Sequence, residues 1–186
     1  MAKKTSLIEE FLKKGNKVGS ITPSSRFLVK KMLEPVVFSE DMCIAEFGTG
    51  TGNITRGLLA QMPPKSLLLA FEINPELYEQ LGRELQDDRL RLINDSAEQL
   101  EKYLSENNRE KADYIISSLP LAILDKETEE SILDTVVRAL SPGGAFIQFQ
   151  YSPASLKKLK DRFSDIKTDF TPYNIPPALV YTCRNK

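Results

Sequence analysis

The chain has 186 residues, 27% of them charged and 41% apolar, and a net charge of −1. That length fits one domain with a real core, and the near-neutral balance advertises no polyanion partner for the chain as a whole. There is no histidine, and Cys43 and Cys183 lie far apart, so no zinc site is expected and nothing calls for an oxidising compartment. No apolar run approaches about 18 residues, and the basic N-terminus lacks the apolar stretch of a secretory signal. The expected location is the cytoplasm.

The charge is unevenly spread. Residues 1–32 hold eight Lys/Arg and two Glu, a net of +6, which leaves −7 for the remainder. A basic arm or lid over 1–34 followed by an acidic body over 35–186 is the expected organisation. Residues 6–14 read as a short helix, with Ser6 and Glu9 at capping-box spacing and Leu7, Ile8, Phe11 and Leu12 on one face. Lys3, Lys4, Lys13, Lys14 and Lys17 surround that face. Such a helix either lies in a membrane surface or packs on the domain with its lysines solvated. Residues 15–25 are turn-rich. Thr22 and Pro23 would cap and open a second helix that runs to about Leu33 and stops before Pro35. This loop and helix could fold over a ligand or simply cap a sheet.

Next comes Cys43-Ile44-Ala45-Glu46-Phe47-Gly48-Thr49-Gly50-Thr51-Gly52-Asn53. It reads as a buried strand, a tight glycine turn and a helix N-terminus. Glycines let backbone approach a ligand closely, and the helix start offers free N–H groups. The spacing is G-x-G-x-G, not the G-x-G-x-x-G of dinucleotide sites. A helix over Ile54–Met62 ends at Pro63-Pro64. Ser66–Ile73 is a nearly all-apolar second strand that ends on Glu72. This acid lies about 20 residues past the glycine turn, where α/β nucleotide folds place a carboxylate for the ribose hydroxyls.

The alternation continues. A helix is expected over Pro75–Gln86, with Leu77, Leu81 and Leu85 as its buried stripe, then a strand over Leu90–Asn94 and a helix over 98–105. Asp95 and Ser96 fall between them, as ligand contacts, helix caps or both. Lys111–Ser117 is the fourth strand, followed by Ser118-Leu119-Pro120-Leu121. Asp125–Leu140 is a long helix, Ser141–Gly144 a sharp turn and Ala145–Tyr151 the fifth strand. A basic helix over Pro153–Phe163 precedes two final strands, 164–171 and 178–184. This order implies an α/β fold, a mostly parallel sheet with helices on both faces.

Glu46-Phe47-Gly48-Thr49-Gly50-Thr51-Gly52, with Glu72 and Asp95 at strand ends, resembles the class I S-adenosylmethionine (SAM) methyltransferases. The resemblance implies a Rossmann-like seven-stranded sheet in the order 3-2-1-4-5-7-6, with the last strand antiparallel. It implies SAM as cofactor, with Glu72 at the ribose, Asp95 and Ala97 at the adenine, and the Gly48, Gly50 and Gly52 backbone at the methionine end. Glu46, Phe47, Thr49, Ile73, Ser96, Ser117 and Leu119 complete the expected cofactor-binding set. No metal is expected.

A narrower likeness is carried by Lys17–Ser25, Ser117–Leu121, Gln148-Phe149-Gln150-Tyr151 and Asn174–Ala178. These stretches look like the bacterial phospholipid N-methyltransferases, relatives of the rRNA adenine dimethyltransferases. That likeness implies methylation of phosphatidylethanolamine at a membrane surface, and hence a peripheral place at the inner membrane face. The adenine enzymes carry Asn-Leu-Pro-Tyr or a variant at the fourth strand, where this chain has Ser118-Leu119-Pro120-Leu121. Leu121 cannot stack on a base, and the helical C-terminal domain of the RNA enzymes is not found in this sequence. Ser118 and Tyr151 are the candidate catalytic residues that orient the acceptor amine, together with backbone carbonyls, and Tyr151 reads equally as an ordinary strand-end aromatic. Lys17 and Arg26 are candidates to meet a lipid phosphate. RNA or a small amine remains the alternative acceptor, and a SAM-binding protein without turnover is the alternative class.

Overall fold

The computed structural model describes residues 24–185. The expected helix over 6–14, Thr22, Pro23 and Lys17 lie outside the described residues. The chain runs α1 (Arg26–Leu33), β1 (Cys43–Phe47), α2 (Asn53–Leu59), β2 (Leu67–Phe71), α3 (Pro75–Glu84), β3 (Leu90–Ile93), α4 (Leu100–Glu106), β4 (Ala112–Ser117), α5 (Lys126–Ala139), β5 (Leu140–Gln150), α6 (Leu156–Lys160), β6 (Asp165–Thr171) and β7 (Ala178–Arg184). Single 3₁₀ turns at Ala97–Gln99 and Leu121–Ile123 follow β3 and β4.

The seven strands form one sheet in the order β3-β2-β1-β4-β5-β7-β6. β1 to β5 are parallel, and β7 is antiparallel to both β5 and β6. This is the expected Rossmann-like order. The register levels the strand ends: Phe47 pairs with Phe71 and Ser117, and Phe71 with Ile93. Gly48, Glu72, Asn94 and Ser118 therefore start one row along the carboxyl edge.

Covering both faces explains why the central strands lack polar alternation. One layer holds Ala45, Phe47, Leu69, Phe71, Ile115 and Phe146 under α4 and α5. The other holds Ile44, Leu68, Ala70, Ile116 and Ile147 under α1 and α2. Leu28 and Met32 of α1 are fully buried there, so α1 is part of the body's core.

Caps set the helix starts. Ser25 Oγ accepts from Leu28 N at 3.2 Å and begins α1, later than the Thr22-Pro23 start read from the sequence. Asn74 Oδ1 accepts from Glu76 N at 2.9 Å, with Pro75 as the first helical residue of α3. Of the expected stripe on α3, only Leu81 is buried; Leu77 and Leu85 are partly covered. Residues 141–144 are drawn into β5, where the pairing slips between Ala112↔Leu140 and Tyr114↔Ala145. Gly144 permits this, because a Cβ there would stand 2.5 Å from the Asp113 carbonyl oxygen. The basic helix after β5 is only Leu156–Lys160, anchored by buried Leu159.

Candidate active site

The glycine turn is built by three left-handed residues, Gly48, Gly50 and Gly52 (φ +75°, +52° and +77°). Gly48 N and Thr49 N both donate to Phe71 O, at 2.9 and 3.2 Å, so the turn folds over the end of β2. Gly52 N closes it on Thr49 O at 2.8 Å. Gly52 also seats α2 against α3, since a Cβ would overlap Leu81 and stand 2.9 Å from Arg56 Nη1. Gly50 is different: nothing lies within 4 Å of where its Cβ would be. The turn thus has one tight end and one open centre.

Glu72 faces that centre and is only 5% exposed. Its Oε2 accepts from Gly50 N at 2.8 Å and from Thr49 Oγ1 at 3.5 Å, and its Oε1 from Asn74 N at 2.9 Å. Ile73 follows, partly covered. Beyond β3, Asp95 Oδ1 accepts from Ser96 N at 2.8 Å and Oδ2 from Tyr103 OH at 3.0 Å. Ser96 Oγ caps the turn at Glu98 N (3.3 Å), and Ala97 is buried. The capping role read for Ser96 is therefore present, and Asp95 is held in place by its neighbours.

Two of the expected residues point away from the edge. Phe47 is wholly buried, edge-on to Phe71 with ring centroids 5.7 Å apart, and offers the site only its backbone. Glu46 is wholly buried on the opposite face, near Thr55, and neither carboxyl oxygen has a hydrogen-bond partner. Burial pushes its pKa up to about 8; Thr55 pulls weakly the other way and Glu72 adds repulsion.

On the other side of β1, Ser117 Oγ accepts from Leu119 N at 3.2 Å. Ser118 Oγ donates to Gly48 O and, at 3.2 Å, to Phe47 O, which couples the β4 end to the glycine turn. Leu119 packs its Cδ2 3.1 Å from the position of a Gly48 Cβ. Leu119 O accepts from Gln148 Nε2 at 3.0 Å and from Gln150 Nε2 at 3.3 Å. These two glutamines were not among the expected site residues. Their signal is two amides, two residues apart, in a strand otherwise built for a buried parallel sheet. Tyr151 is half exposed and lies edge-on to Phe149, ring centroids 5.5 Å apart. Arg26 sits over the Phe27 ring at 5.0 Å, at the start of α1.

A cavity of about 670 Å³ lies elsewhere, between α1 and α2, lined by Val29, Leu33, Phe38 and Arg56 among others. Neither the glycine turn's Gly48 and Gly50 nor Glu72 or Asp95 borders it. Among the described residues no group of three or more His, Cys, Asp or Glu is placed to hold a metal, and no helix is long and apolar enough to cross a membrane.

A family profile described as "Methyltransferase domain" matches residues 44–144, from β1 into β5. The chain belongs to that family. This methyltransferase is 29% identical over 178 residues to an ornithine lipid N-methyltransferase of Singulisphaera acidiphila, spanning 94% of the chain and 92% of that protein. Its fold is similar to a precorrin-6y C5,15-methyltransferase of Geobacter metallireducens (TM-score 0.67, 16% identity, 86% of this chain and 88% of that one). It is also similar to human methyltransferase-like protein 13 in complex with SAH (TM-score 0.65, 20% identity, 85% and 76%). The chain is a SAM-dependent methyltransferase. The turn fits that cofactor: its centre at Gly50 is open, and a buried carboxylate stands beside it.

Proposed function

We propose that this methyltransferase transfers a methyl group to the primary amine of a membrane lipid, with phosphatidylethanolamine as the substrate. The observation that carries the reading is Leu121. It occupies the place where the adenine dimethyltransferases present an aromatic to the base, and here it is fully buried in the core beneath the turn. A buried leucine at that position cannot stack on a nucleobase. The ornithine lipid N-methyltransferase, similar over nearly the full chain, supports a lipid amine.

In this reading Glu72 holds the ribose, Asp95 and Ala97 the adenine, and the Gly48–Gly52 backbone the methionine end, with Thr49, Ile73, Ser96, Ser117 and Leu119 shaping the cradle and the buried Glu46 and Phe47 contributing only backbone at the end of β1. SAM supplies an electrophilic methyl sulfonium. The chain's part is to position an unprotonated amine in line and to exclude water. A carbonyl has two lone pairs, and both glutamines already donate to Leu119 O. That carbonyl is therefore occupied, and two hydroxyls are the side-chain candidates to orient the amine. Ser118 has committed its proton to the glycine turn and keeps lone pairs for an N–H. Tyr151 stands exposed at the end of the neighbouring strand. The basic residues within 1–34 bring the folded body, which takes in α1 as well as 35–186, to an anionic surface at the inner membrane face.

The test offers radiolabelled SAM with vesicles containing phosphatidylethanolamine, vesicles containing ornithine lipid, vesicles with neither, and RNA. Label in phosphatidylethanolamine is the expected result, and deleting residues 1–14 should weaken it while leaving the α1 core intact. Label only in RNA, or in neither lipid while SAM still binds, overturns the lipid assignment.

A further inference from the structure

Seven large apolar side chains are exposed among the described residues, and they are not scattered. Phe27, Ile123, Tyr151, Phe170, Tyr173 and Ile175 all fall on the carboxyl edge of the sheet: at the start of α1, just after β4 and β5, and around the β6–β7 connection. The seventh, Val37, sits at the opposite edge, where its N–H donates to Tyr114 OH at 3.1 Å. Isolated exposed apolar residues need no explanation, but a set confined to one rim does.

The rim is tied to the cofactor turn. Asn174 Oδ1 accepts from Ser25 N at 3.1 Å, and its Nδ2 donates to Pro176 O at 2.8 Å. Ser24 O accepts from Asn53 Nδ2 at 2.9 Å, one residue past Gly52. Phe27 packs on Tyr173 with ring centroids 5.2 Å apart. The β6–β7 tip, the start of α1 and the start of α2 are thus joined by two hydrogen bonds and one ring contact, and a third hydrogen bond braces the tip itself.

We infer that this rim docks on an anionic lipid bilayer, the β6–β7 tip entering the headgroup layer through Tyr173 and Ile175. Charge and chemistry name the occupant. Residues 1–23, with five lysines against two glutamates, join the chain at Ser24, on the rim itself, and Arg26 is exposed beside it. Basic residues beside a membrane surface are attracted to its anionic lipids. Tyrosines suit the boundary between headgroup and acyl chain, and isoleucines suit the acyl side. Ile123 and Ile175 would offer nothing to a nucleic acid backbone. The inference deepens the lipid-amine reading and rests on it for the identity of the surface.

The chain has no tryptophan, so one introduced at the tip is a clean reporter. Tyr173→Trp fluorescence should shift to the blue with vesicles of phosphatidylethanolamine and phosphatidylglycerol, and less with neutral phosphatidylcholine. Val37→Trp, at the far edge, should not shift. Ile175→Ser, 77% exposed in the parent, should fold normally and bind the anionic vesicles about tenfold more weakly. Its transfer to detergent-dispersed phosphatidylethanolamine should be unchanged. A Tyr173→Trp emission that ignores vesicles, or that responds to RNA instead, overturns the docking surface. Failure of the substrate reading looks different: vesicles bind and shift the emission, but no label enters lipid.

Discussion

The two halves of the sheet are built in different ways. On the β3-β2-β1 side the site is a continuous stretch. The turn from Gly48 to Asn53 hydrogen-bonds to residues at the end of the adjacent strand, and Glu72 closes it from 22 residues away. On the β4-β5-β7-β6 side the site is assembled from distant pieces. Leu119 is held by glutamines 29 and 31 residues downstream, and Ser25 by Asn174, 149 residues away. The turn proposed to take the cofactor is built by local backbone geometry. The acceptor side is left to side chains that only the folded sheet brings together, and those can change without disturbing the turn.

That contrast can be broken most severely at the turn. Gly52→Ala should cost about 3 kcal/mol of unfolding free energy, combining left-handed strain with overlap on Leu81. Gly50→Ala, at the open centre, should cost only about 1 kcal/mol, the strain alone. Urea melts of the two variants measure both, and equal losses would mean that packing does not separate the two ends of the turn. Next comes Glu46. Its carboxyl titrates near 4.5 when unfolded and at about 8 when folded. The folded chain holds the extra proton through that window, so this group's contribution to stability falls as pH rises through it. Glu46→Gln has no such slope and should gain about 3 kcal/mol over the parent between about pH 5 and about pH 8. A gap that stays constant with pH would show that Glu46 is already ionised in the fold. The smallest effect belongs to the acceptor side. Gln150→Leu removes one of the two bonds on Leu119 O, and kcat should fall about tenfold with KM for SAM changed by about twofold or less. A change in KM for SAM of the same size would show that the two halves are one unit.

The glycine turn and the acid beside it were legible in the sequence because their spacing is local. Three alternating glycines, an acid at the next strand end and a further acid after β3 survive as a pattern in one dimension, and the strand order followed from the family likeness. The structure placed Glu46 and Phe47 in the core because neighbours on a strand face opposite sides of the sheet. Alternation therefore points the Phe47 ring into one layer and the Glu46 carboxyl into the other. The roles of Gln148 and Gln150 were not legible, since an amide's partner is a carbonyl whose position depends on the β4–β5 register. The slip at 141–144 was missed for a similar reason. Ser-Pro-Gly-Gly is a turn signal by itself, and only the close approach of Gly144 to the Asp113 backbone keeps it in the strand.

Glu72 has a numerical property of its own. A carboxylate offers about four lone-pair positions. Gly50 N and Asn74 N take two of them with short bonds, and Thr49 Oγ1 reaches a third only at 3.5 Å. If Thr49 yields, two positions remain, one for each hydroxyl of a ribose. The group is then saturated with no proton missing and none to spare. In the proposed ribose contact, a sugar with a single hydroxyl would leave an acceptor unpaired on a carboxylate that is only 5% exposed.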